Sequence, residues 1–322
     1  MRSLRWLGLL ALYVGAQLTG LALAFPFRSE GLATTSNPSS VTAPLFIIAV
    51  IVIAPLFILL LARRQGGLVA LRQLILLGIT GSLYFTLYAS LSLVVPGPYP
   101  IPPVAAGMVA DLALPFAAVV SVGLYLALLM EPQWYVVDLV GFLAGGALIA
   151  LLGISFALLP VLILLSVLAV YDYIAVYRTR HMIRLADVVT DMKLPILMVM
   201  PDRAGYDYTR AATLAEQREQ PTEQRAALFM GLGDVVIPGA LVTSAFVWLP
   251  ATPLGGGVGA NLVVALGALI GSLVGYALLM QLVLRGRAQA GLPFLNGFAI
   301  LGYLVSFVLV YHSFGFGLSG VL

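Results

Sequence analysis

The chain has 322 residues, of which 61% are hydrophobic and only 9% charged, with a mean hydropathy of +1.08; soluble domains carry about 25% charged residues, so the main solvent of this chain is lipid. Its formal net charge is +3, and the basic residues are dispersed rather than gathered on one face, which leaves nucleic acid unsupported as a partner. Cysteine is absent and the only histidines are His181 and His312, outside any H-E-x-x-H pattern, which excludes a disulfide framework, thiolate catalysis, thiolate-held metals and a histidine zinc protease.

A helix needs about 20 mostly apolar residues to cross the hydrocarbon core, and charges, Gly-Pro clusters and polar runs mark where one crossing ends. The segments in chain order are about 4–25, 41–62, 68–95, 104–130, 135–157, 158–177, 226–249, 258–284 and 291–317. The first follows Arg2 and Arg5 and ends in Ala22-Leu23-Ala24, like a secretory signal, but its apolar core of about 20 residues exceeds the usual 7 to 15 and reads as a retained anchor. Segments five and six are separated only by Gly153 and Pro160; a merged run would be about twice a bilayer crossing.

With the N-terminus inside, every Lys and Arg except Arg28 falls on the cytoplasmic side. An eight-span reading would put Arg285, Arg287 and the 178–225 loop outside, so the positive-inside rule favours nine. The expected fold is an all-α polytopic membrane protein of nine transmembrane helices, N-terminus cytoplasmic and C-terminus outside. It divides into a six-span half (1–177), a cytoplasmic loop (178–225) and a three-span half (226–322). In the loop, Met182, Leu185, Val188 and Val189 recur at helical spacing opposite Arg184, Asp187 and Asp191, which predicts an interfacial helix. The apolar run Leu194 to Met200 then reads as extended, and the residues after Asp202 as a flexible linker.

A carboxylate in hydrocarbon costs several kcal/mol, so each intramembrane acid is a functional candidate. Asp138 sits at the cytoplasmic end of span five, where headgroups and water reach it, and reads as structural; Asp111 in span four reads as a helix-packing hydrogen bond. Asp172 and Asp234 differ, because both lie in the inner half of consecutive antiparallel spans. Two carboxyls at close range cannot both ionise cheaply, so the pair holds one proton. One member then takes a proton from water while the other polarises a peptide carbonyl. Gly231-Leu232-Gly233 before Asp234 removes bulk beside the carboxylate, and Tyr171 flanks Asp172. Pro293, near the start of span nine, frees backbone groups at the level of the two acids, which predicts irregular backbone there lining a cavity. Gly317-Leu318-Ser319-Gly320 mimics a serine-protease site, but Ser319 lies beyond the last span with no later histidine as its base.

Tyr171-Asp172, Gly231-Leu232-Gly233-Asp234 and Pro293-Phe294-Leu295, in spans six, seven and nine, resemble the GxGD intramembrane aspartyl proteases, the presenilin and signal peptide peptidase family. The resemblance covers the whole chain and implies a compact microbial homologue in the cell membrane, with Asp172 and Asp234 catalytic. It also implies that Pro293, Phe294 and Leu295 shape the substrate cleft, with Tyr171, Gly231, Leu232 and Gly233 beside it. The family's third motif reads Pro-Ala-Leu; here Phe294 stands at its centre. Transmembrane helical proteins are the implied substrates and membrane lipid the surroundings; no cofactor or metal is called for, and a homo-oligomer stays open. Other readings are a proton-coupled transporter, against which the missing internal repeat counts, and a prepilin-type peptidase, which typically has Lys where this chain has Val235. A substrate held extended as a β-strand against Leu194 to Met200, Pro293 to Leu295, or both is the expected binding mode.

Overall fold

The structure, a computed structural model, describes residues 2–62, 66–92, 103–179, 192–203, 205–209, 226–254, 256–285 and 289–318. Nine helices stand among these residues: α1 (Arg2–Ser29), α2 (Thr42–Ala62), α3 (Gly67–Ser92), α4 (Pro103–Met130), α5 (Trp134–Ser155), α6 (Leu158–Ile174), α7 (Leu232–Trp248), α8 (Ala260–Val283) and α9 (Leu292–Tyr311). A π-helical turn, Ala175–Thr179, continues α6. Two strands, β1 (Leu197–Pro201) and β2 (Ala227–Gly231), form an antiparallel ribbon. Seven helical segments are long and apolar enough to cross a membrane; Thr42–Ala54 of α2 and Leu232–Trp248 are shorter apolar helices among the described residues.

The break between α5 and α6 falls where the sequence placed it. Phe156 and Ala157 are extended, and their freed backbone groups are used: Ser244 donates to the Phe156 carbonyl at 2.9 Å and the Ala157 N–H donates to Pro38. Without a water-driven hydrophobic effect between them, lipid-embedded helices associate where small residues let backbones approach. A Cβ on Gly271 of α8 would run into the Phe298 carbonyl and Gly302 Cα of α9. Gly145, Gly153 and Gly239 play the same part between α5 and α7, and Gly20 and Gly146 between α1 and α5. Asn296 donates to the Leu165 carbonyl at 2.9 Å, fixing α9 on α6.

Four expectations change. The start of span seven, Ala227–Gly231, is a strand, and the helix begins at Leu232; an apolar run this short carries no period that separates strand from helix. Span nine ends at Tyr311, with His312 left-handed at φ 48° and Tyr303 donating to the Phe316 carbonyl of the turn beyond. Gly205 to Thr209 is not a loose linker: Tyr208 is fully buried, and Gln133 accepts from its N–H and donates to Asp207. Asp111 is exposed on α4 rather than packed between helices. The expected interfacial helix, the rest of the linker and Ser319 lie outside the described residues.

Candidate active site

Asp172 sits two residues before the end of α6, immediately ahead of the π-helical turn, and is buried. Insertions of this kind recur at functional sites because the extra residue re-aims the side chains around it. Asp234 lies on the adjacent α7. Gly231 is the N-cap of that helix with extended backbone (φ −65°, ψ 136°), so Leu232, Gly233 and Asp234 fill its first three positions. From the third position the carboxyl turns back toward the Gly231 N–H, half of a capping box. The glycine-rich spacing is thus a helix start with its acid set in the first turn.

The two acids meet at the beginning of α9. The Leu292 N–H donates to Asp172 Oδ2 at 3.1 Å. A Cβ on Gly291 would stand 3.1 Å from Asp234 Oδ2, and one on Gly231 would stand 3.3 Å from the same atom. Asp234 therefore occupies a slot between two glycines, one from its own helix and one from α9. Gly233, by contrast, is exposed with open space where a side chain would be. The N-terminal ends of α7 and α9 both point their positive partial charge at the pair.

Pro293 lies in the first turn of α9, where its missing N–H would have been unsatisfied in any case. The irregular backbone expected there is absent; non-α backbone near the acids belongs instead to the π-helical turn and to β2. Phe294 packs its carbonyl against Gly275 of α8, and Leu295 is fully buried. Pro293 and Phe294, with Tyr173, Tyr177 and Ala290, line a pocket of about 250 Å³ on the α6 side. Tyr177 donates to Gln289 at 2.6 Å, tying the π-helical turn to the approach to α9. Tyr171 is half-buried one residue before Asp172.

Three contributors escaped the sequence reading: the Leu292 N–H, the π-helical turn and the ribbon partner β2. Only the first had a signal, since Gly291 before Pro293 marks a helix start. Asp138 also differs from expectation. It is buried beneath β1 rather than hydrated, and Oδ1 accepts from the Val199 N–H at 2.7 Å.

A family model described as signal-peptide peptidase, presenilin aspartyl protease matches residues 10–311. No curated protein matches the chain. Among solved structures, a presenilin family intramembrane aspartate protease in a C222 crystal form is 32% identical, with 94% of this chain and 99% of that chain covered and a TM-score of 0.64. A presenilin family intramembrane aspartate protease in a P2 form is 34% identical, with 94% and 97% covered and a TM-score of 0.61. A match over nearly the whole length, joined to two acids brought together at one helix start, makes this chain an intramembrane aspartate protease of the signal-peptide peptidase and presenilin family.

Proposed function

We propose that Asp172 and Asp234 form the catalytic pair that hydrolyses peptide bonds within transmembrane segments of other membrane proteins. The observation that carries this is their convergence on Gly291 and Leu292 from two different helices. With one proton between them, the ionised carboxyl takes a proton from water as its oxygen attacks the peptide carbonyl. The protonated carboxyl donates a hydrogen bond to that carbonyl, and a proton then passes to the departing amine. A transporter or prepilin peptidase is not favoured, because the family match runs through all three motifs. The positive-inside pattern of the Lys and Arg residues supports a nine-span reading with a cytoplasmic N-terminus and an outer C-terminus, and with it a place for the pair in the inner leaflet half of the cell membrane.

An intact helix hides its carbonyls in its own hydrogen bonds, so the substrate segment must unwind and its backbone must find partners. The ribbon refines where. The Met198–Met230 and Met200–Leu228 pairs lie in register with the Leu232-to-Ile196 and Asp202-to-Ala226 bonds, so Ala227 and Phe229 turn their backbone groups away from β1. Those groups have no partner among the described residues. A substrate strand laid on this edge of β2 runs toward Gly231 and Asp234; Pro293 to Leu295 is helical and is not a second edge.

The test is cleavage of a single-span helical substrate by purified protein and by the Asp172→Ala, Asp234→Ala and double variants, each checked for folding. Either single change is expected to abolish cleavage, and the double variant to be no worse, because each acid is half of one device. Substantial cleavage by either folded single variant would refute the pairing.

A further inference from the structure

Asp138 is a buried carboxyl that the proposed chemistry does not use. It lies on α5, 61 positions before the residue it holds, and its Oδ1 accepts from the Val199 N–H at 2.7 Å while Oδ2 is buried without a partner among the described residues. Val199 faces Phe229 in the register, and its N–H points away from β2, so this bond takes up the middle of the outer edge of β1. Pro201, the next residue to face outward on that edge, has no N–H to offer.

The surroundings make this a clamp. Gly141, one turn along α5, leaves room for the Pro195 carbonyl just before β1. Gln133, at the start of α5, holds Asp207 and the Tyr208 N–H just after it. At the far end of the ribbon Arg5 pairs with Asp202 at 3.0 Å. An apolar helix covering β1 would leave the Val199 N–H unsatisfied in a place without water, so something on α5 must accept from it.

We propose that Asp138 is a positioning residue. By pinning Val199 it fixes the register of the β1–β2 ladder, whose last pair, Leu197 with Gly231, sets the N-cap of the helix that carries Asp234. It also occupies one edge of the ribbon, which leaves the β2 edge to the substrate strand. This rests on the proposed reading of Asp172 and Asp234 as the catalytic pair. It goes beyond that reading in assigning the accuracy of the cut to a third acid that never meets the scissile bond.

The experiment uses full-length protein with Asp138→Leu, which removes the acceptor at similar size, and Asp138→Asn, which keeps a carbonyl oxygen there. The readouts are kcat/KM on a single-span helical substrate and the cleaved bonds mapped by mass spectrometry. The Asn variant is expected to stay within about threefold of wild type with the same cut positions, since a carbonyl oxygen still accepts. The Leu variant is expected to lose at least about tenfold and to spread its cuts over neighbouring bonds, as a ladder free to slip would. Wild-type cutting by the Leu variant, or equal losses in both variants, would overturn the proposal. Amide exchange on wild type stands independently of whether the Leu variant folds: the Val199 amide should exchange as slowly as those of Met198 and Met200, and fast exchange would also overturn it. If wild type cut no substrate, the catalytic reading would fail, while the exchange result would still judge the clamp.

Discussion

Gly291→Ala is the sharpest probe of the site, because one methyl group is placed against one carboxyl group. Ordinary contact begins at 3.4 Å; the new Cβ would stand 3.1 Å from Asp234 Oδ2 and 3.2 Å from both Cγ and Oδ1, so the carboxyl must move by about 0.3 Å. Its freedom to do so is limited by the Gly231 N–H, which holds the same carboxyl from the helix N-cap. A displacement of 1 Å at a reacting group costs on the order of 100-fold, so a shift of this size predicts a fall in kcat of about three- to tenfold with KM nearly unchanged. The fold should tolerate the change: Gly291 is right-handed helical at φ −79° and ψ −48°, which alanine adopts freely. The gain of about 0.4–1 kcal/mol from a less flexible unfolded chain is offset by alanine's weakness as an N-cap. Gly297→Ala in the same helix is the control, with nothing within 4 Å of its Cβ. The assay is steady-state cleavage of a single-span substrate alongside the thermal midpoint of the solubilised protein. A Gly291→Ala enzyme with kcat within about 1.5-fold of the Gly297→Ala enzyme would refute the idea that Asp234 is held in a fitted slot.

Two further outcomes are expected. Cleavage should follow a bell-shaped pH profile whose limbs belong to the coupled pair, because both acids are protonated at low pH and both ionised at high pH; a rate rising steadily into the alkaline range would point to a different base. Gly271→Leu should lower stability by about 1–3 kcal/mol through overpacking of α8 on α9, read as a fall of several degrees in the thermal midpoint. Gly81→Leu on α3, with open space around its Cβ, should leave the midpoint unchanged, and equal midpoints for the two variants would contradict the packing argument.

Apolar length found the nine helices that stand among the described residues, including the break between α5 and α6, because lipid-embedded segments announce themselves in composition. That Asp172 and Asp234 could meet was legible for the same reason: position along a helix is counted in residues. What stayed hidden depends on contacts between distant positions. Nothing near Asp138 reveals that its partner is Val199, and nothing in Ala227 to Gly231 reveals a strand until Leu197 to Pro201 is set beside it. Pro293 misled because a proline at membrane depth suggests broken backbone, whereas in a first turn it breaks nothing. The π-helical turn after Asp172 had no sequence signature at all.

The irregular backbone that Pro293 was expected to supply is present at the acids themselves, on both helices. α6 and α7, each 17 residues long, are the shortest helices described, and at 1.5 Å per residue each spans about 26 Å against a hydrocarbon core of about 30 Å. In each case the missing length lies at the end that bears the acid. It is made up by non-α backbone: the turn Ala175–Thr179 beyond Asp172, and β2 ahead of Asp234. Such backbone survives at membrane depth only when other protein groups or water satisfy it. The ribbon satisfies part of it, and Gly233 leaves an exposed, open side next to Asp234. A peptidase in lipid must solve two problems at one level, bringing water to its acids and offering backbone partners to an unwound substrate. On the proposed catalytic reading, ending both acid-bearing helices short, and finishing one of them with a strand, would answer both with the same few residues.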